Sequence, residues 1–212
     1  MMDFLKKVRT SNYDLTNLKK VRNSIIIFIV GIALGIFSKW LDNLALSNDI
    51  WWQNILDILD LGNVFSLFGV WILMAVCISI FSNSPLRASI NVFLFFLGMC
   101  ASYHVYTIVF AGFNPMSYML IWYGITLVSP FMAFICWYAK GNGIIASTIK
   151  VSIITTMILC SFSIGMWYFD FISILDTVFF IITLVVLYST PKNLAYNLAC
   201  SIAIAYLIRF FV

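Results

Sequence analysis

The chain has 212 residues, of which 63% are apolar and only 9% charged, with a mean hydropathy of +1.04. A soluble domain carries about 25% charged residues, and a chain of this length cannot hide so much apolar surface in one water-facing core, so lipid must take the excess. The formal charge of +4 collects on one side of the turns; it is therefore a topology signal and speaks against a nucleic-acid partner.

In chain order, residues 1–23 hold Lys6, Lys7, Arg9, Lys19, Lys20 and Arg22 against Asp3 and Asp14, a basic segment expected in the cytoplasm. The apolar run Ser24–Leu41 follows. "LALS" (Leu44–Ser47) faintly resembles a signal-cleavage site, but the long run before it and the intervening Lys39 and Asp42 favour an uncleaved first span. Within that span Gly31 and Gly35 are spaced for close helix approach, expected inside the bundle rather than in a dimer.

"WWQNILDILD" (Trp51–Asp60) comes next. On a helical wheel Trp51, Trp52, Ile55, Leu56, Ile58 and Leu59 share one arc, and Gln53, Asn54, Asp57 and Asp60 share the other. Ten residues are too few to span, so the segment reads as an amphipathic helix on the membrane surface, with Asp57 and Asp60 on a wet face. Aspartates at i and i+3 can also share a divalent cation or a lipid head group, as in lipid-modifying enzymes built on DxxD pairs. Those enzymes need further Asp, Lys or Arg nearby, and "DILDLGN" lacks their longer signatures.

Six further spans are expected at about 64–81, 88–110, 117–138, 144–167, 171–188 and 194–211, the last two the shortest. Pro130 should kink the fourth span, and Gly141 and Gly143 break the turn after it. Placing the N-terminus inside puts ten of the twelve basic residues on the cytoplasmic side, including Arg87, Lys140, Lys150 and Lys192. Lys39 and Arg209 then lie outside with Asp42, Asp49, Asp57, Asp60 and Asp170, and the C-terminus ends outside. The fold expected is all-α: a polytopic bundle of about seven transmembrane helices in one domain, residues 24–212, plus the interfacial helix.

Two inner turns echo each other. "SPLRASIN" (Ser84–Asn91) and "TPKNLAYN" (Thr190–Asn197) both place Ser or Thr before Pro and Asn six residues after it. The chain then reads as one span followed by three hairpins entering from outside, a parallel repeat of a kind known in transporters. Helix capping alone also selects these residue types.

Few residues carry chemistry. The five cysteines each sit in an apolar run without a CxxC and read as core filler. His104, the one histidine, lies toward the outer end of its span beside Tyr103 and Tyr106; a hydrogen bond to a neighbouring helix is its plainest role. Asp170 and Asp176 open the sixth span, with Asp176 about one and a half turns in. Convergence of His104, Asp176, Asp170 and Lys39 would make a polar pocket open to the outside. The chain has no glutamate and no GxSxG, HExxH or Walker motif. No catalytic residue, cofactor or metal ligand is assigned, and an enzyme is not expected.

The order "GIALGIFSKWLD", "LGNVFSLFGVWI", "SNSPLRASINVFLFFLGM" and "PFMAFICWYAKGNG" resembles a family of small multi-pass bacterial membrane proteins known only as a domain of unknown function, over about residues 30–192. The resemblance implies a bacterial inner-membrane protein and brings no site residues with it. In size the chain is also similar to the substrate-binding membrane subunit of energy-coupling-factor vitamin transporters, which docks its partner through small residues on the first span. Here Gly31 and Gly35 stand where that family has alanines, and there is one span more.

The functional expectation is a small-molecule binding or permease-like protein of the inner membrane, its outward site walled by Tyr103, Trp122, Trp167 and Tyr168. The alternative is a non-catalytic accessory, immunity or assembly protein acting through a membrane protein partner. An intramembrane enzyme would need Asp57, Asp60, His104 and Asp176 to converge.

Overall fold

The computed structural model describes residues 7–11, 15–44, 50–165 and 167–211. Charges counted above at Asp3, Lys6, Asp14 and Asp49, and most of "LALS", lie outside them. Among the described residues nine α-helices form: α1 (Asn17–Asp42), α2 (Trp51–Ile58), α3 (Leu61–Ser66), α4 (Phe68–Phe81), α5 (Pro85–Tyr106), α6 (Met116–Trp137), α7 (Gly143–Ser161), α8 (Ile174–Leu187) and α9 (Pro191–Phe211). A π-helical turn, Thr107–Ala111, extends α5, and a 3₁₀ turn, Tyr138–Lys140, extends α6.

Helix is the form the composition dictates, because backbone groups in lipid must be paired within the segment. Five of the helices are long and apolar enough to cross a bilayer: α1, α5 with its π turn, α6 with its 3₁₀ turn, α7 and α9. The two others on expected spans, α4 and α8, have 14 residues each, about 21 Å of helix against a hydrocarbon core of about 30 Å. Leu120, Leu127 and Phe131 on α6 and Leu207 and Phe210 on α9 are exposed, as lipid-facing residues are.

Three boundaries differ from expectation. The helix expected over 64–81 breaks at Leu67, whose extended backbone (ψ 162°) separates α3 from α4. The first helix begins at Asn17, so Lys19, Lys20 and Arg22 are helical. Residues 162–171 turn back as a hairpin, β1 (Phe162–Ile164) against antiparallel β2 (Phe169–Phe171), with Ser163 opposite Asp170. Phe162 stacks on Phe169 at 5.0 Å and meets Phe171 edge-on at 5.5 Å, which secures the pair.

The chain forms two compact units. The first comprises Met1–Thr10, Asn48–Cys77 and Tyr138–Val212; the second comprises Ser11–Ser47 and Ile78–Trp137. In the second, α1 packs on α5 and α5 on α6. Gly31 and Gly35 meet the backbone of Phe95 and Met99, and Gly98 meets that of Phe28, so the two helices nearly touch backbone to backbone. Ser102 Oγ donates across the contact to Ile32 O at 3.0 Å. The small-residue pattern is thus an intramolecular seam, as expected.

At the other end of this seam Ser24 Oγ donates to Asn91 Oδ1 (2.7 Å), Asn91 Nδ2 donates to Ser82 Oγ (3.1 Å), and Arg87 Nη2 donates to Lys20 O (2.6 Å). Pro130 removes the amide that would bond Thr126 O, and Ser129 Oγ donates there instead at 2.9 Å.

In the first unit α7 packs on α9 and on α8. Ser147 Oγ donates to Asn197 Oδ1 (2.6 Å), and Ser201 Oγ donates to Val151 O (3.1 Å). The Gly143 turn has φ +87°, a backbone that L side chains rarely adopt. Asn142 N donates to Val8 O at 2.9 Å, pinning residues 7–10 to that turn.

The echo between the two turns extends into structure. α4 and α8 have equal length, and Phe68/Ile174, Phe81/Leu187, Pro85/Pro191 and Asn91/Asn197 all stand 106 positions apart. Ser84 accepts from Arg87 N and Thr190 from Asn193 N, each at 3.3 Å. Asn91 and Asn197 are both buried, and each takes a serine hydroxyl from another long helix, Ser24 of α1 and Ser147 of α7. The 106-residue spacing holds for α4–α5 and α8–α9 but does not carry α1 onto α7.

Candidate functional site

In the second unit polar chemistry gathers where α1 and α5 end and α6 begins. Lys39, in the last turn of α1, is 7% exposed. Its Nζ lies 3.6 Å from Asp42 Oδ2, 5.3 Å from the ring centre of Tyr103 and 5.6 Å from that of Phe113. Tyr103 donates its hydroxyl to the same Asp42 oxygen at 2.7 Å. A desolvated ammonium held by one carboxylate and two ring faces is a fixed positive centre, each ring contributing about 0.5–2 kcal/mol.

His104 follows Tyr103 on α5, but a helix turns about 100° per residue, so it faces another neighbour. Its Nδ1 lies 2.6 Å from Tyr123 Oη on α6, and its Nε2 2.9 Å from Asn114 Oδ1 in the loop before α6. With Asn114 presenting its carbonyl oxygen, Nε2 carries the hydrogen of that bond, and Nδ1 shares a hydrogen bond with the Tyr123 phenol. Both ring nitrogens are thus used, the helix-to-helix role expected from sequence. Lys39 and His104 do not pair directly; Tyr103 stands between them in sequence and meets only Lys39 and Asp42 among these groups.

An aromatic row continues the cluster. Tyr103 and Tyr118 are 6.2 Å apart between ring centres, and Tyr118 meets Trp122 edge-on at 6.3 Å. The π turn Thr107–Ala111 follows directly, closed by Gly112 at φ +74°. Such bulges inside helices recur at functional sites. Tyr103 is one of the expected walls; Asp42, Tyr118, Asn114 and the π turn carried no recognisable spacing, and a lysine within one turn of an aspartate at a span's end was the one available signal.

The other expected pocket residues lie in the first unit. Asp170 is exposed on β2, its Oδ1 accepting from Phe171 N at 2.8 Å. Asp176 is wholly buried. Because α8 starts at Ile174 and not at 171, Asp176 falls in the first helical turn rather than one and a half turns in. Ser173 caps the helix, accepting from Asp176 N at 3.0 Å and donating to Asp176 Oδ2 at 2.9 Å. The two aspartates share no partner. Of the expected aromatic walls, Trp122 is buried, whereas Trp167 is 92% exposed at the hairpin turn and Tyr168 is exposed beside it.

The interfacial helix forms over Trp51–Ile58, and Asp60 closes it with φ +51°. Trp51, Ile55 and Ile58 are exposed, as a lipid-facing arc requires. The opposite arc is not uniformly wet: Gln53 is 7% exposed and Asn54 half-buried, so only Asp57 and Asp60 meet solvent. Asp60 also accepts from Asn63 Nδ2 at 2.8 and 3.1 Å, which makes it the start of α3. A groove of about 570 Å³ runs beside Gly165, Ala203, Tyr206, Leu207, Arg209 and Phe210; in sequence its sign was a lone arginine between aromatics near the chain's end. Comparison of the chain with protein-family models, with curated proteins and with solved structures gives no match.

Proposed function

We propose that this protein binds a small polar solute at the Lys39–Asp42–Tyr103 and His104–Tyr123–Asn114 cluster, as a permease-like protein of a bacterial inner membrane. In this reading the N-terminus is cytoplasmic, the C-terminus is outside, and the cluster opens outward. The observation that supports it most is the buried Lys39: a cation withdrawn from water and held against aromatic rings costs free energy that packing alone would avoid with a methionine or leucine. Charge of both signs, an imidazole and the phenols of Tyr103, Tyr118 and Tyr123 supply orienting contacts for a solute with donor and acceptor groups. The shared spacing of α4–α5 and α8–α9 would fit an internal duplication, and parallel repeats recur in transporters.

The test is a ligand screen by thermal shift on the purified chain, followed by uptake into proteoliposomes. A solute that stabilises the wild type and is transported should do neither in Lys39→Met or His104→Ala. A screen in which no solute binds, with a stoichiometric membrane protein co-purifying instead, would favour the accessory role and overturn this one.

A further inference from the structure

We propose that Asp176 is the carboxylate of a buried monovalent-cation site, taken by a sodium ion or a proton, where the start of α4, the end of α7 and the start of α8 meet. The site rests on the first unit alone and stands whether or not the Lys39–His104 cluster binds a solute.

The carboxylate has no exposed surface, and only one of its oxygens is accounted for. Oδ2 accepts from Ser173. Oδ1 is buried without any hydrogen-bond partner, and the hydroxyl of Ser161, also wholly buried, is the one other side-chain atom in that condition among the described residues. Ser161 is the last residue of α7, next in sequence to Cys160. A Cβ built on Gly69 would lie 3.1 Å from Asp176 Oδ1 and 3.8 Å from Cys160 Cβ, so the oxygen points at the start of α4 beside the last turn of α7, where Ser161 follows Cys160. Gly69 leaves the space that any side chain would fill.

A bare carboxylate here would be unsupportable. Asp60, at the start of α3, adds negative potential at Asp176. The groups that act on Asp176 or stand beside it are Asp60, Ser173 and the Cys160 thiol from α7; Arg209 of α9 acts on Cys160. Among the described residues no cation pairs with Asp176. An unpaired buried charge is among the costliest features a fold can carry, and the first turn of α8 offsets only part of that cost, so a cation or proton on Oδ1 supplies the rest. One carboxylate with hydroxyls is a hard-oxygen set of low charge. It suits a singly charged ion, whereas divalent cations draw several acidic or carbonyl ligands, and no group of three His, Cys, Asp or Glu exists among the described residues to hold one. Val70 stands 106 residues earlier, in the same place on α4, so α4 carries no matching charge.

The experiment is thermal unfolding of the purified full chain in detergent, with sodium replaced by choline at constant ionic strength, from about pH 5 to about pH 9. A melting temperature that rises with sodium at fixed pH, and no longer does so in Asp176→Asn, identifies the ion as sodium. A melting temperature indifferent to sodium that falls as pH rises, with that dependence lost in Asp176→Asn, identifies it as a proton, because a site protonated in the fold loses its contribution as the proton leaves. Ser161→Ala and Gly69→Ala keep the acid and should weaken the apparent cation affinity about tenfold, the worth of one charge-assisted hydrogen bond. They decide the matter if Asp176→Asn does not fold. A wild-type response flat in both sodium and pH, as an ordered water alone would give, overturns the proposal. So does a response that persists in Asp176→Asn, or one unchanged in both Ser161→Ala and Gly69→Ala.

Discussion

Gly35→Ala probes the seam that builds the second unit. The added methyl would fall within the van der Waals envelopes of Met99 O and Ser102 Oγ, neither of which is the end of a long, flexible side chain. At the neighbouring Gly98 a methyl would stand 2.7 Å from Phe28 O, where ordinary contact begins at 3.4 Å; the Gly35 overlap is the more severe. Helices α1 and α5 would have to part locally by about 1 Å, and close packing does not absorb such a shift freely. Overpacking of this kind costs about 1–3 kcal/mol. Displacing Ser102 also removes its bond to Ile32 O, worth roughly 1 kcal/mol between membrane helices, so a total of about 2–4 kcal/mol is expected. Gly124→Ala is the control, because a Cβ there meets nothing within 4 Å, and a helical Gly→Ala change is neutral or stabilising by up to about 1 kcal/mol. The assay is unfolding in mixed micelles by titrated denaturing detergent. If Gly35→Ala matches the wild type, or Gly124→Ala loses as much, the backbone-contact seam is refuted.

Asn91→Ala strips hydrogen bonds to both Ser24 and Ser82, and Asn197→Ala strips one, to Ser147; losses of about 2 and about 1 kcal/mol are expected in the same titration, and equal losses would count against the assigned networks. Ser129→Ala should cost about 1 kcal/mol by orphaning Thr126 O, and adding Pro130→Ala should restore it by supplying the missing amide. Failure of that rescue in a thermal melt would contradict the repair role of Ser129. Replacing Tyr103 by Phe keeps the ring over Lys39 but removes the bond to Asp42; a loss of about 1 kcal/mol is expected, clearly smaller than that of Tyr103→Leu.

The sequence made the helices legible because lipid leaves the backbone one economical way to pair itself, and every expected span holds a helix. What it concealed were places where tertiary contacts override the apolar run. Leu67 is as apolar as its neighbours, so nothing in hydropathy marks the break between α3 and α4. Phe162–Ile164 and Phe169–Phe171 alternate over three residues each, too short to stand out beside a span. The wheel for Trp51–Asp60 separated polar from apolar faces correctly but could not tell water from protein, and Gln53 went to protein. At the site, His104 was recognised by rarity. The partners Asn114 and Tyr123 come from a loop and a different helix, and no spacing encodes that meeting. The likeness of Asn91 and Asn197 was visible as an echo, yet the serine bond that each accepts from another helix is encoded in neither turn.

The central claim is a helical membrane protein whose proposed topology, N-terminus in the cytosol and C-terminus outside, requires an odd number of crossings. Reporters fused in turn to the N- and C-termini, one fluorescent only in the cytosol and one active only outside it, test this directly in cells. The account predicts a cytosolic signal from the N-terminal fusion and an external signal from the C-terminal one. Both termini on the same side, or recovery of the chain in the soluble fraction without detergent, would contradict it.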